Sequence, residues 1–183
     1  MRRRECLTVL GGAAAWPLMA HAQQPTKVAR IGFLGPGYYS SAGPVYAERL
    51  WQGLRDLGYV EGKNILIEKR WAEGNYDRLP ELAAELVALN VDVLVTYATP
   101  GALAAKRATT TIPIVVAVTA DAIRSGLVPS LSRPGGNLTG QTFFHPELNA
   151  KRLELLKEAL PGSSRIAVLV NPGNPIMTPL LNS

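Results

Sequence analysis

Val91-Asp92-Val93-Leu94-Val95-Thr96-Tyr97 and, a little further on, Ile112-Pro113-Ile114-Val115-Val116-Ala117-Val118 are short, nearly continuous apolar runs rich in β-branched residues. Runs of this length and make-up are expected of central strands in a parallel sheet, where helices cover both faces and leave no position for a polar side chain. Working outward from this pair, further strands are expected over residues 28–34, 64–71, 138–143 and 165–170. The gaps between them leave room for crossover helices, and strands alternating with amphipathic stretches are the pattern of βαβ units. The expected class is therefore α/β, a parallel sheet sandwiched by helices.

The helical stretches repeat their apolar residues at three- and four-residue intervals. Tyr46, Leu50, Leu54 and Leu57 are expected on one face of the first, and Leu79, Leu82, Leu86 and Leu89 on one face of the second. Gly58 and Asn90 stop the two helices where a residue tolerant of positive φ is wanted. Pro113 stands at the start of its strand, where a missing N–H costs least. Residues 64–71 alternate Ile65 and Ile67 with Glu68 and Arg70. That reads as an edge strand and suits the flavodoxin-like order 2-1-3-4-5. Arg133-Pro134-Gly135-Gly136 is the strongest break in the chain and is read as a hinge, the strand after it expected to lead toward a second lobe. A helix is expected over residues 147–160, and then the chain stops as a second α/β unit begins.

Hydrophobic residues make up 47% of the 183 and charged residues 18%, a composition that folds. The net charge of +5 is concentrated at the start. With the three arginines and one glutamate of residues 1–22 set aside, 16 basic and 13 acidic residues remain, spread thinly, so no nucleic-acid partner is expected. Residues 1–22 read as an export leader: Arg2-Arg3-Arg4, an apolar stretch from Leu7 to Met19, and Ala20-His21-Ala22 as the cleavage site, placing the product in the periplasm. Arg3-Arg4-Glu5-Cys6-Leu7 fits either a twin-arginine signal or the positive region of a general secretory leader. The leader takes with it the single cysteine, Cys6, and one of two histidines, His21, leaving His145 alone; no metal site, cofactor or catalytic group is expected. Asn137-Leu138-Thr139 matches a glycosylation acceptor, read here as a chance match.

Open parallel sheets bind ligands beyond the carboxyl ends of their strands, where helix N-termini present free N–H groups. The residues that fall there are Gly37, Tyr38 and Tyr39 after the first strand, Tyr97, Thr99 and Gly101 after the third, and Thr119 and Asp121 after the fourth. Asn171 follows the last expected strand as a second-lobe candidate. The tyrosines suit a flat ligand. Thr99 is expected as a helix N-cap with Pro100 in the first helical position, an end that suits a carboxylate. Asp121 either accepts from a ligand ammonium or caps the next turn. The Gly35-Pro36-Gly37 turn lacks the third glycine and the acidic partner of a dinucleotide fingerprint.

Several long stretches carry a family resemblance: residues 53–64 (Gly53-Leu54-Arg55-Asp56-Leu57-Gly58-Tyr59-Val60-Glu61-Gly62-Lys63-Asn64), 70–74, 76–80, 104–115, 132–140 and 151–157. Together they resemble the ABC transporter substrate-binding family that includes tryptophan- and tyrosine-type binders. The resemblance implies a type I periplasmic-binding fold of two lobes with a small organic solute held between them, an amino acid and an aromatic one among the candidates. It also implies an ABC permease in the inner membrane as partner and no chemistry on the solute. Family members usually have two full lobes, so the chain is expected to be a truncated copy: 1–22 leader, 27–140 ligand-binding lobe, 141–183 crossover and start of the second lobe. Ala122 and Arg124 depart from the commoner Pro and Gly after the family's acidic residue. A periplasmic sensor domain with the same fold, or an α/β enzyme, are the rival readings.

Overall fold

The computed structural model describes residues 28–39, 45–142, 147–171 and 173–174. Five parallel strands, β1 (Ala29–Gly35), β2 (Ile65–Trp71), β3 (Val93–Thr96), β4 (Ile114–Thr119) and β5 (Leu138–Thr142), form one sheet in the order β2-β1-β3-β4-β5. This is the order expected from the alternating pattern of β2, which pairs with β1 alone among the described residues. The helices among those residues are α1 (Val45–Asp56), α2 (Leu79–Ala88), α3 (Ala98–Ala108) and α4 (Glu147–Ala159), with a 3-10 turn over Tyr76–Arg78 leading into α2.

Strand alternation divides the core between the two faces of the sheet. Leu34, Leu94, Ile114 and Val116 face α2 and α3, packing on Leu79, Leu82, Leu86, Ala102 and Ala105 in the larger cluster. Ile31, Phe33 and Val95 face the other way, against Ala47, Leu50, Trp51 and Leu54 of α1. Leu34, Leu86, Leu94 and Ile114 are wholly buried, and burying each such side chain stabilises the fold by about 1.5–3 kcal/mol. Gly58 (φ 84°) and Asn90 (φ 52°) take the left-handed conformation expected of them just after α1 and α2.

The structure corrects several expectations. Residues 165–170 form no strand: they have no ladder partner among the described residues, and an unpaired segment cannot satisfy its backbone as a sheet. Among the described residues β4 is covered on one face only: Val115 and Ala117 point away from α2 and α3 and stay exposed. Leu57 lies beyond the end of α1 and is 76% exposed, since the turn at Gly58 directs it away from the sheet. Leu89, past the end of α2, still packs on the larger cluster. β5 stays in this sheet, parallel to β4. Gly135 (φ 61°) and Gly136 (φ 69°) make the turn before it. The leader, the Tyr46 side chain and His145 lie outside the described residues.

Candidate functional site

The carboxyl ends of β1, β2, β3 and β4 bring four loops to one rim of the sheet. The first two are joined by backbone hydrogen bonds: the Ala72 amide donates to the Gly35 carbonyl at 2.8 Å and the Gly74 amide to the Pro36 carbonyl at 3.1 Å. The third is joined to the first by a side chain, the Tyr97 hydroxyl accepting the Gly37 amide at 3.0 Å. A Cβ on residue 37 would stand 2.8 Å from that hydroxyl, so any larger residue there would displace it. Burial pushes the Tyr97 hydroxyl above the ordinary tyrosine range; the Gly37 hydrogen bond pulls it back down, while Tyr76 and the negative charge of Glu73 push it up.

On this scaffold Tyr38 and Tyr39 stand 70% and 65% exposed. They are nevertheless positioned. The Tyr38 ring lies over Gly74, where an added Cβ would come within 3.0 Å of it, and the Tyr39 ring tilts against Trp71 with centroids 5.6 Å apart. The Tyr39 amide points at the Glu73 carboxylate, 3.3 Å from both oxygens. Beneath this shelf Phe33 packs against Trp51, Trp71 and Tyr97. Large aromatic faces held in the open by a rigid frame are a feature of binding surfaces.

Thr99 is not the N-cap. α3 begins at Ala98, whose φ of 58° is unusual for a residue with a side chain, and Tyr97 precedes it without capping the helix through its side chain. Thr99 sits inside the first turn, buried, with its hydroxyl 3.1 Å from the buried hydroxyl of Thr119. Gly101 lets α3 approach the sheet: a Cβ there would strike the Thr96 hydroxyl and stand 2.8 Å from the Pro36 ring. Asp121 takes the second of its two expected roles. Its Oδ1 accepts the amides of Ile123 at 3.1 Å and Arg124 at 3.0 Å, capping the turn that follows β4. Asn171 donates to the Tyr76 hydroxyl at 3.2 Å, which brings the segment after α4 back to the same rim. Beside β5 a groove of about 180 Å³ runs from Thr119 to Thr142. Pockets that enclose small ligands are roughly 300–1,000 Å³; the rim is an open surface.

Sequence reasoning missed Trp71, Glu73 and Tyr76. The signal available was position: they lie at or just past the carboxyl end of β2, and the rule applied to the other strand ends covers this one too. It also missed Asn137, whose side-chain amide donates to the carbonyls of Thr109 at 3.2 Å and Ile112 at 2.6 Å, fixing the entry to β5. Among the described residues no cluster of metal-ligating side chains occurs, and no helix is long and apolar enough to cross a membrane.

Comparison with known proteins bears on this arrangement. A tyrosine-binding protein of Clostridioides difficile (strain R20291) is 36% identical over 120 residues, 66% of this chain and 34% of the relative. Among solved structures, a conserved domain protein from Vibrio cholerae superposes with a TM-score of 0.73 at 35% identity, covering 85% of this chain and 52% of that one. An ABC domain from Streptococcus pneumoniae in complex with L-Trp has a TM-score of 0.63 at 31% identity, covering 73% and 44% respectively. The ligand-free, open structure of a Clostridium difficile substrate binding protein with adhesive properties gives 0.64 at 28%, covering 85% and 52%. This chain thus spans about a third of the curated relative and about half of the solved ones. The model of the ABC transporter substrate binding protein family matches residues 46–180. With the parallel α/β sheet agreeing with that match, the chain belongs to the ABC transporter substrate binding protein family.

Proposed function

We propose that the protein is the solute-binding component of a bacterial ABC importer, exported to the periplasm and freed of residues 1–22 after Ala22. It takes up a small amino acid with an aromatic side chain and hands it, chemically unchanged, to a permease in the inner membrane. Residues 27–140 form the first lobe, and 141–183 the crossover and the start of the second, so that solute lies between the two. The observation that carries this reading is the shelf of Tyr38, Tyr39 and Trp71 held over the joined loops of the first three strands. An aromatic ring laid on such a shelf gains offset or edge contacts worth about 0.5–1.5 kcal/mol beyond its buried area. The relatives agree in kind: one is a tyrosine-binding protein and another was solved with L-Trp.

Gly37, Tyr38, Tyr39 and Tyr97 supply the aromatic side of the site. The first turn of α3, with Thr99 and Gly101, offers its N-terminal amides to the solute carboxylate, because Tyr97 leaves that end without a side-chain cap. Thr119, Asp121 and Asn171 complete the polar boundary. Titration calorimetry of the mature chain against L-tryptophan, L-tyrosine and L-leucine tests this. Binding of the two aromatic amino acids in preference to leucine is expected; equal heats for all three, or turnover of any of them, would refute it.

A further inference from the structure

Glu73 is held between the two backbone tethers that join the loops after β1 and β2, since the flanking amides of Ala72 and Gly74 donate to Gly35 and Pro36. Its φ is 52°, a conformation seldom taken by residues with side chains, and its carboxylate reaches across to the Tyr39 amide. A carboxylate has about four acceptor positions, and one amide fills only part of that capacity. The ion pairs among the described residues are Arg55–Glu48, Lys69–Glu61, Arg70–Glu85 and Lys151–Glu154, so no lysine or arginine there neutralises Glu73. Glu73 is exposed, and aromatic rings stand near it: Tyr39, whose amide it accepts, has its ring tilted against Trp71, and Tyr97 is near enough to have its titration raised by the Glu73 charge. A fixed, unneutralised carboxylate beside aromatic rings is the donor-seeking half of a primary-ammonium site, combining charge-assisted hydrogen bonds with cation–π attraction. Asp121, the other carboxylate at the rim, already has one oxygen engaged by two backbone amides.

We infer that Glu73 is the specificity-determining residue that selects solutes bearing a primary ammonium, with Tyr39 and Trp71 flanking the charge. This inference rests on the ligand-site reading proposed above. Its test is a comparison of L-tryptophan with indolepropionate, the same skeleton without the amine, on the wild-type mature chain and on Glu73→Gln. Glutamine keeps a carbonyl oxygen for the Tyr39 amide, so the loop tether survives. The expected result is that Glu73→Gln weakens L-tryptophan about ten-fold or more, the scale of one lost charge-assisted contact, while indolepropionate changes by less than about two-fold. Equal losses for both ligands would show that Glu73 only positions the loop, and unchanged L-tryptophan affinity would show that it does not meet the amine; either overturns the inference and leaves the site reading intact. A wild-type chain that binds neither compound would overturn the site reading and the inference together.

Discussion

The Tyr97 hydroxyl accepts the amide of Gly37 at 3.0 Å, across a gap of sixty residues in sequence, and so ties the loop after β1 to the residue that precedes α3. Two otherwise separate loops thereby share one position at the rim. Removing the hydroxyl in Tyr97→Phe leaves the Gly37 amide without its acceptor in a half-buried place, at a cost of about 1–3 kcal/mol in urea denaturation.

The same residue should mark the alkaline limb of stability. Burial foremost raises Tyr97 above the ordinary tyrosine value of 10.0, so the folded state holds this proton more tightly than the unfolded chain does. Its stabilising contribution is complete below 10.0 and is lost as pH rises through the higher folded value. Ultraviolet titration of the tyrosines should show a late-ionising ring that disappears in Tyr97→Phe. Titration of every tyrosine at the ordinary value would refute this.

Thr99 and Thr119 should behave as a coupled pair. Both are buried, and each hydroxyl has the other as partner. Thr99→Val or Thr119→Val alone should cost about 1–3 kcal/mol, since one hydroxyl is left unpaired, whereas the double variant should cost clearly less than the sum. Additive losses in a denaturation cycle would mean that the two do not interact.

Two glycines are set by space, and Gly140 by conformation as well. At Gly140, with φ at 154°, an added Cβ would lie on the Val116 carbonyl, where β4 and β5 shift register. Gly140→Ala should therefore detach β5, destabilising by about 1–3 kcal/mol or more. Gly101→Ala should push α3 from Thr96 and Pro36 and lower the melting temperature even without solute. A Gly101→Ala chain of unchanged stability would show that the close packing is not needed.

Much of the fold was legible because parallel strands write themselves as short apolar runs. The runs at 91–97 and 112–118 became β3 and β4, and the alternating Ile65, Ile67, Glu68 and Arg70 identified the edge strand. Residues 165–170 have the same composition and yet form no strand, because composition cannot supply a partner. At the rim, strand ends located Gly37, Tyr97 and Thr119, but not the hydrogen bonds they make. Thr-Pro at 99–100 is the expected signature of a cap, yet α3 is entered through Ala98 at positive φ, and the Thr99 hydroxyl meets that of Thr119 instead of capping the helix. The bond between Glu73 and the Tyr39 amide spans two loops, and no local pattern encodes such a pairing.

The most direct test of the rim as a solute surface is an amide-resolved nuclear magnetic resonance titration of the mature chain with L-tryptophan. Saturable shifts should concentrate at 37–39, 73–74, 98–99 and 101, the amides of the joined loops and the first turn of α3. Shifts confined to the opposite end of the sheet, or none at saturating solute, would contradict a binding site at the carboxyl ends of the strands.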